Sequence, residues 1–133
     1  MIAGVADTHT ALWHLFDDAR LSSRAADFID EAAAARHRIA VSSISLAEVV
    51  YLIEKNRLPP SAYDDLKIAL ADPDYVLEEA PLTVGVVDAL RKVPRVAVPD
   101  MPDRIVAATA LYFDVPVISR DGRIRASNVH TIW

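Results

Sequence analysis

Short apolar segments alternate with helix-like segments along almost the whole chain, and that alternation constrains the fold more than any other feature. Ile2–Ala6, Ile39–Ser42, Tyr75–Glu79, Val115–Ser119 and Val129–Ile132 read as strands. Between them lie helical stretches: Thr10 to about Asp17, a cap at Ser22 or Ser23 leading to about Ala35, and a Ser45-capped segment through Lys55. Pro59-Pro60-Ser61 opens another that stops near Asp72-Pro73, Thr83 caps one through about Lys92, and Pro99–Pro102 introduces one from Asp103 to Phe113. Strands that follow one another through helices pair in parallel, so the expected fold is α/β, three-layer α/β/α around a central parallel sheet. In such sheets the reactive crevice lies beyond the carboxyl ends of the strands.

The bulk properties narrow the chemistry. The chain has 133 residues, of which 53% are hydrophobic, enough for one domain with a sizeable core. It has no cysteine, which excludes a disulfide scaffold, a thiolate zinc site and a cysteine nucleophile. His9, His14, His37 and His130 form no H-x-x-x-H pair, so any metal is expected to be a hard, oxygen-loving ion. No secretory signal or apolar run of bilayer length (~20 residues) is apparent, and a soluble, cytoplasmic protein without membrane contact is expected.

A net charge of −5 argues against indiscriminate nucleic-acid binding. The charge is unevenly spread: residues 1–90 hold 7 Lys+Arg against 15 Asp+Glu, and residues 91–133 hold 7 against 4. The late basic excess is either an ordinary solvated face or a cationic rim able to hold a phosphate chain.

Four acids fall at the ends of separate elements. Asp7 follows the first strand, and Asp121 takes the same place after Val115–Ser119 in Ser119-Arg120-Asp121-Gly122. Glu48 stands in Ser45-Leu46-Ala47-Glu48, which reads as a capping box, yet the helix continues Val49-Val50-Tyr51-Leu52-Ile53 and is expected to be largely buried. Asp103 opens the last long helix, and Asp100 either caps that helix or joins the site. Taken singly, each acid has an ordinary structural role in a turn, a cap or a helix dipole. Together, in this topology, they converge. Clustered carboxylates repel and raise one another's proton affinity, a cost that Mg²⁺ or Mn²⁺ removes.

Asp7-Thr8-His9, Ser42-x-x-Ser45-Leu46-x-Glu48, Asp103-Arg104-Ile105-x-Ala107-Ala108-x-Ala110 and Ile118-Ser119-Arg120-Asp121, in this order and spacing, resemble PIN domains. With Leu12-Trp13 after the first motif, the chain resembles VapC-like toxins of VapBC toxin–antitoxin systems along essentially its whole length. The resemblance implies one PIN domain over residues 1–133. It implies a metal-dependent ribonuclease with Mg²⁺ or Mn²⁺ held by Asp7, Glu48, Asp103 and Asp121. Thr8 matches a small hydroxyl residue beside the first acid. Relatives often read Asp-Pro-Phe-Asp-Arg where this chain has Asp100-Met101-Pro102-Asp103-Arg104, so the proline has moved. Arg104, Arg120 and Arg123 are candidates for the RNA backbone, because guanidinium forks match phosphate oxygens. A VapB-like antitoxin and a homodimer are the implied partners, with the apolar Leu46–Ile53 helix as a candidate interface.

Three other readings fit less well. A receiver-type phospho-acceptor domain wants an acidic pair after the first strand and a late Lys. A haloacid-dehalogenase-like phosphatase wants Asp-x-Asp, where this chain has His9. A silent PIN-like module that binds RNA or protein without cutting tends to lose acids that are all present here.

Overall fold

The computed structural model describes residues 1–133. Its elements run β1 (Ile2–Ala6), α1 (Thr8–Leu15), α2 (Ser23–Ala34), β2 (Arg38–Ser42), α3 (Ser43–Glu54) and α4 (Ser61–Ala71). There follow β3 (Leu77–Ala80), α5 (Val84–Leu90), α6 (Met101–Phe113), β4 (Val117–Ile118), α7 (Gly122–Arg125) and β5 (Thr131–Ile132). All four strand pairings are parallel, in the order β3-β2-β1-β4-β5. The α/β fold with a central parallel sheet is therefore as expected.

Strand side chains alternate between faces, and the core divides accordingly. Ala6, Ile39, Val41 and Ile118 pack on one face with Ala11, Ile29, Val49 and Leu66 from α1 to α4. Val5, Ala40 and Val117 point to the other face, against Val86, Val106–Ala108 and Ile124 from α5, α6 and α7. Fully buried side chains such as Ile39 and Ile118 each contribute roughly 1.5–3 kcal/mol. Gly4 permits close packing inside β1: a Cβ there would lie 2.9 Å from the Phe28 ring and 3.3 Å from the Pro116 carbonyl oxygen. No helix is long and apolar enough to cross a membrane.

Three local expectations need correction. Ser45 does not cap α3: Ser42 does, its hydroxyl accepting from the Ile44 amide at 3.2 Å. Ser45 is fully buried inside the helix, so Ser45 and Glu48 form no capping box. Nor is α3 largely buried, because Val50 and Tyr51 face solvent at 40% and 54% exposure. The strands at residues 77–80, 117–118 and 131–132 are shorter than, or shifted from, the apolar runs that suggested them.

β1 is the switch point of the sheet. Its neighbours are β2 on one side and β4 on the other, so the connections leaving it diverge and open a crevice at the carboxyl ends.

Candidate active site

Each strand bordering that crevice delivers a polar group to it. Asp7 ends β1 and caps α1, with Oδ1 accepting from the Thr10 amide at 2.9 Å. Its other oxygen accepts from the Ser119 hydroxyl, which follows β4 and itself accepts from the Asp121 amide at 2.9 Å. Asp7 is only 8% exposed, and these contacts fix its carboxylate rather than leaving it to rotate. Asp121 caps α7, taking the amides of Arg123 and Ile124 on Oδ1 at 2.9 and 3.0 Å. These caps account for α1 beginning at Thr8, and α7 beginning at Gly122.

Glu48 is set by the chain's first turn. The buried Thr8 hydroxyl donates to Glu48 Oε1 at 2.6 Å and lies 2.9 Å from the Ser45 hydroxyl one turn earlier on α3. Thr8, Ser45 and Glu48 thus tie α1 to α3 and leave the second Glu48 oxygen free for other partners. Asp100 is a cap that also faces the cavity. It caps α6 by accepting from the Asp103 amide at 3.1 Å, and it lines the crevice.

The four predicted acids share one cavity of about 400 Å³ with Asp100 and Thr8. His9, Trp13 and Arg120 complete its wall. Burial pushes the Asp103 carboxyl up to about 7, helped by the charges of Asp121, Asp100, Glu48 and Asp7 in that order. The half-buried carboxyl has acidic neighbours, and the one arginine of this wall, Arg120, lies over the Trp13 ring, 4.6 Å from its centroid.

The donor set is all oxygen and anionic, which suits Mg²⁺ or Mn²⁺ and not zinc. No three of these side chains gather closely enough to ligate one ion directly. That spacing fits Mg²⁺, which keeps several waters and takes only one or two carboxylates.

The basic residues divide. Arg120 stands in the cavity wall, and Arg123 is exposed at the start of α7. Arg104 is corrected: one of its terminal nitrogens donates to the Leu90 and Val93 carbonyls at 3.2 and 3.0 Å, so it fastens the α5–α6 connection instead of facing the cavity. His9 was not singled out as a site residue from sequence. Its position two residues after Asp7, in the first turn of α1, is the signal that could have found it.

The model of the PIN domain family matches residues 5–128. Among solved structures, VapBC2 from Rickettsia felis, determined bound to a DNA fragment from its promoter, is similar in fold. The TM-score is 0.70 at 17% identity, covering 98% of this chain and 97% of that one. No curated protein matches the chain.

Proposed function

Because the chain belongs to the PIN-domain family, we propose that it is a divalent-metal-dependent ribonuclease that hydrolyses RNA phosphodiester bonds as the toxin of a VapBC-type toxin–antitoxin pair. The observation that carries the reading is the Asp103 carboxyl, held against Asp121, Asp100, Glu48 and Asp7 in one cavity and pushed up to about 7. A fold with no use for a cation gains nothing from gathering these charges.

In this account Asp7 and Asp103 would be the direct ligands, and Glu48 and Asp121 would hold the ion through water. Both Asp7 oxygens already accept a hydrogen bond, and each carboxylate oxygen retains a further lone pair for a metal. When bound, the ion supplies Lewis-acid activation of the attacking water and a counter-charge for the phosphate. Thr8 keeps Glu48 turned to the cavity, and Ser119 keeps Asp7 so. Arg120, in the cavity wall, and Arg123, exposed at the start of α7, would hold phosphates flanking the scissile bond.

The partners are an RNA, a VapB-like antitoxin and a second copy of the chain. The Rickettsia felis assembly supports the antitoxin, as a fold relative solved as a VapBC. Support for a homodimer comes from exposed apolar side chains just before α5, on α5 and on α6, where Leu82, Val84, Val87 and Tyr112 are 44%, 78%, 46% and 51% exposed.

Purified protein is expected to cut RNA with Mn²⁺ or Mg²⁺ and to stop in EDTA. Asp7→Asn and Asp103→Asn are expected to fold and be inactive, and full activity in either overturns the assignment. A second reading, a PIN domain that holds RNA without cutting, draws on the spacing of the acids. RNA binding with no Mn²⁺ uptake in a titration would favour it.

A further inference from the structure

Two guanidiniums converge on one ring beside the acids. Trp13, on α1, is buried, and its ring centroid lies 5.6 Å from that of His9 and 5.8 Å from that of Trp133. The Arg20 guanidinium lies 5.1 Å from the Trp13 centroid, and that of Arg120 4.6 Å. The two arginines are otherwise unlike. Arg20 is committed elsewhere: Asp18 accepts from its Nε at 3.1 Å and from a terminal nitrogen at 2.8 Å. Arg120 has no such acid. It shares its cavity wall with Asp7, Glu48, Asp100, Asp103 and Asp121, yet the ion pairs of the chain are Arg20–Asp18 and Arg38–Glu78. An arginine among five carboxylates pairs with none of them and lies instead over an aromatic ring.

We propose that Trp13 is a positioning residue: its ring holds the Arg120 guanidinium off the cavity carboxylates, so that the acids stay open to a divalent cation and the arginine to a phosphate. The inference rests on the nuclease reading above, whose metal and phosphate sites it connects. An arginine folded down onto Asp103 or Asp121 would fill the metal's place with its own charge and spend its N–H donors on a carboxylate fork. A cation–π contact engages the charge through the ring face and leaves the in-plane donors free for phosphate oxygens. The competition is an even one. An exposed ion pair is worth about 0–1 kcal/mol, and an exposed cation–π contact about 0.5–1 kcal/mol, so a ring fixed by its own packing is enough to decide where the arginine rests. Trp13 is fixed in that way, between the His9 and Trp133 rings.

The test is a cycle of Trp13→Leu, Arg120→Ala and the double variant, read by calorimetric titration with Mn²⁺ in the absence of RNA. Trp13→Leu is expected to bind Mn²⁺ roughly 2- to 5-fold more weakly, which is the cation–π contact converted at 1.4 kcal/mol per tenfold. Arg120→Ala is expected to bind it at least as tightly as the wild type, because a cation has left the wall. In the Arg120→Ala background the Trp13 substitution is expected to have no further effect. An equal loss in both backgrounds overturns the proposal, since the ring is then merely structural, as does unchanged affinity in folded Trp13→Leu. If Trp13→Leu does not fold, Trp13→Phe is compared in the same two backgrounds and judged in the same way. In metal-free crystals of the folded Trp13 variant, Arg120 is expected in ion-pair contact with a cavity carboxylate, and an Arg120 that has not moved overturns the proposal. If the wild type takes up no Mn²⁺, the metal reading fails and those crystals alone decide the role of the ring. If Mn²⁺ binds and the cycle holds but no RNA is ever cut, the nuclease reading fails while the positioning role stands.

Discussion

Replacing Asp103 by Asn is expected to stabilise the metal-free protein at alkaline pH while abolishing activity. Asn keeps the shape of the side chain and removes the charge that burial and the four neighbouring acids oppose. The folded carboxyl titrates at about 7, against 3.8 for an ordinary aspartate. Below about 3.8 it is protonated in folded and unfolded chains alike and imposes no penalty. As pH rises through about 7 the folded chain must give up its proton too, and the repulsion is then felt in full. At about 1.36 kcal/mol per pH unit a dry site would lose about 4 kcal/mol. Asp103 is only half-buried, so solvent and salt reduce this to about 1–2 kcal/mol. For a chain of this length that corresponds to about 3–8 °C in Tm. The assay is thermal unfolding of both proteins in EDTA from pH 4 to pH 8.5. The variant is expected to melt higher at pH 8, with the difference shrinking toward pH 4, and excess Mn²⁺ is expected to raise the wild type alone. Equal melting at pH 8, or a less stable variant, would refute the electrostatic reasoning.

Thr8→Val leaves the buried Ser45 hydroxyl and Glu48 without their partner. It is expected to cost about 1–2 kcal/mol by urea unfolding and roughly 10- to 100-fold in RNA cleavage. Arg104→Ala strips two carbonyls at the α5–α6 connection of their donor. It is expected to cost about 1–3 kcal/mol, and Arg104→Lys is expected to recover little, since one ammonium cannot reproduce the guanidinium's reach. Gly4→Ala forces a methyl against Phe28 and the Pro116 carbonyl, and a loss of about 1–3 kcal/mol with unchanged metal affinity is expected.

The sheet and the acids were legible because both depend on local signals that the tertiary structure reinforces. Ile39 and Val41 point one way and Ala40 the other, and all are apolar because a parallel sheet is covered on both faces. Asp7 and Asp121 read as caps or as site residues; both are caps, and capping leaves each carboxylate lining the cavity beyond the strand ends. Other features depended on contacts distant in sequence. Ser45 resembles a cap because Glu48 follows three residues later, but burial of its hydroxyl against Thr8 decides its place. Arg104 reads as a phosphate ligand until the Leu90 and Val93 carbonyls are seen to hold it. Helix α7 spans only Gly122–Arg125, begins with glycine, and owes its start to Asp121, so no periodic pattern announces it. Phe16 at the α1 end and Tyr51 of α3 line one hollow that borders the acid cavity, an adjacency only the fold creates.

Anomalous diffraction from a crystal soaked in Mn²⁺ reaches the root of the account. A peak between the Asp7 and Asp103 carboxylates, with waters completing the shell, is the predicted result. No peak in that cavity, or manganese bound only at some other surface, would contradict it.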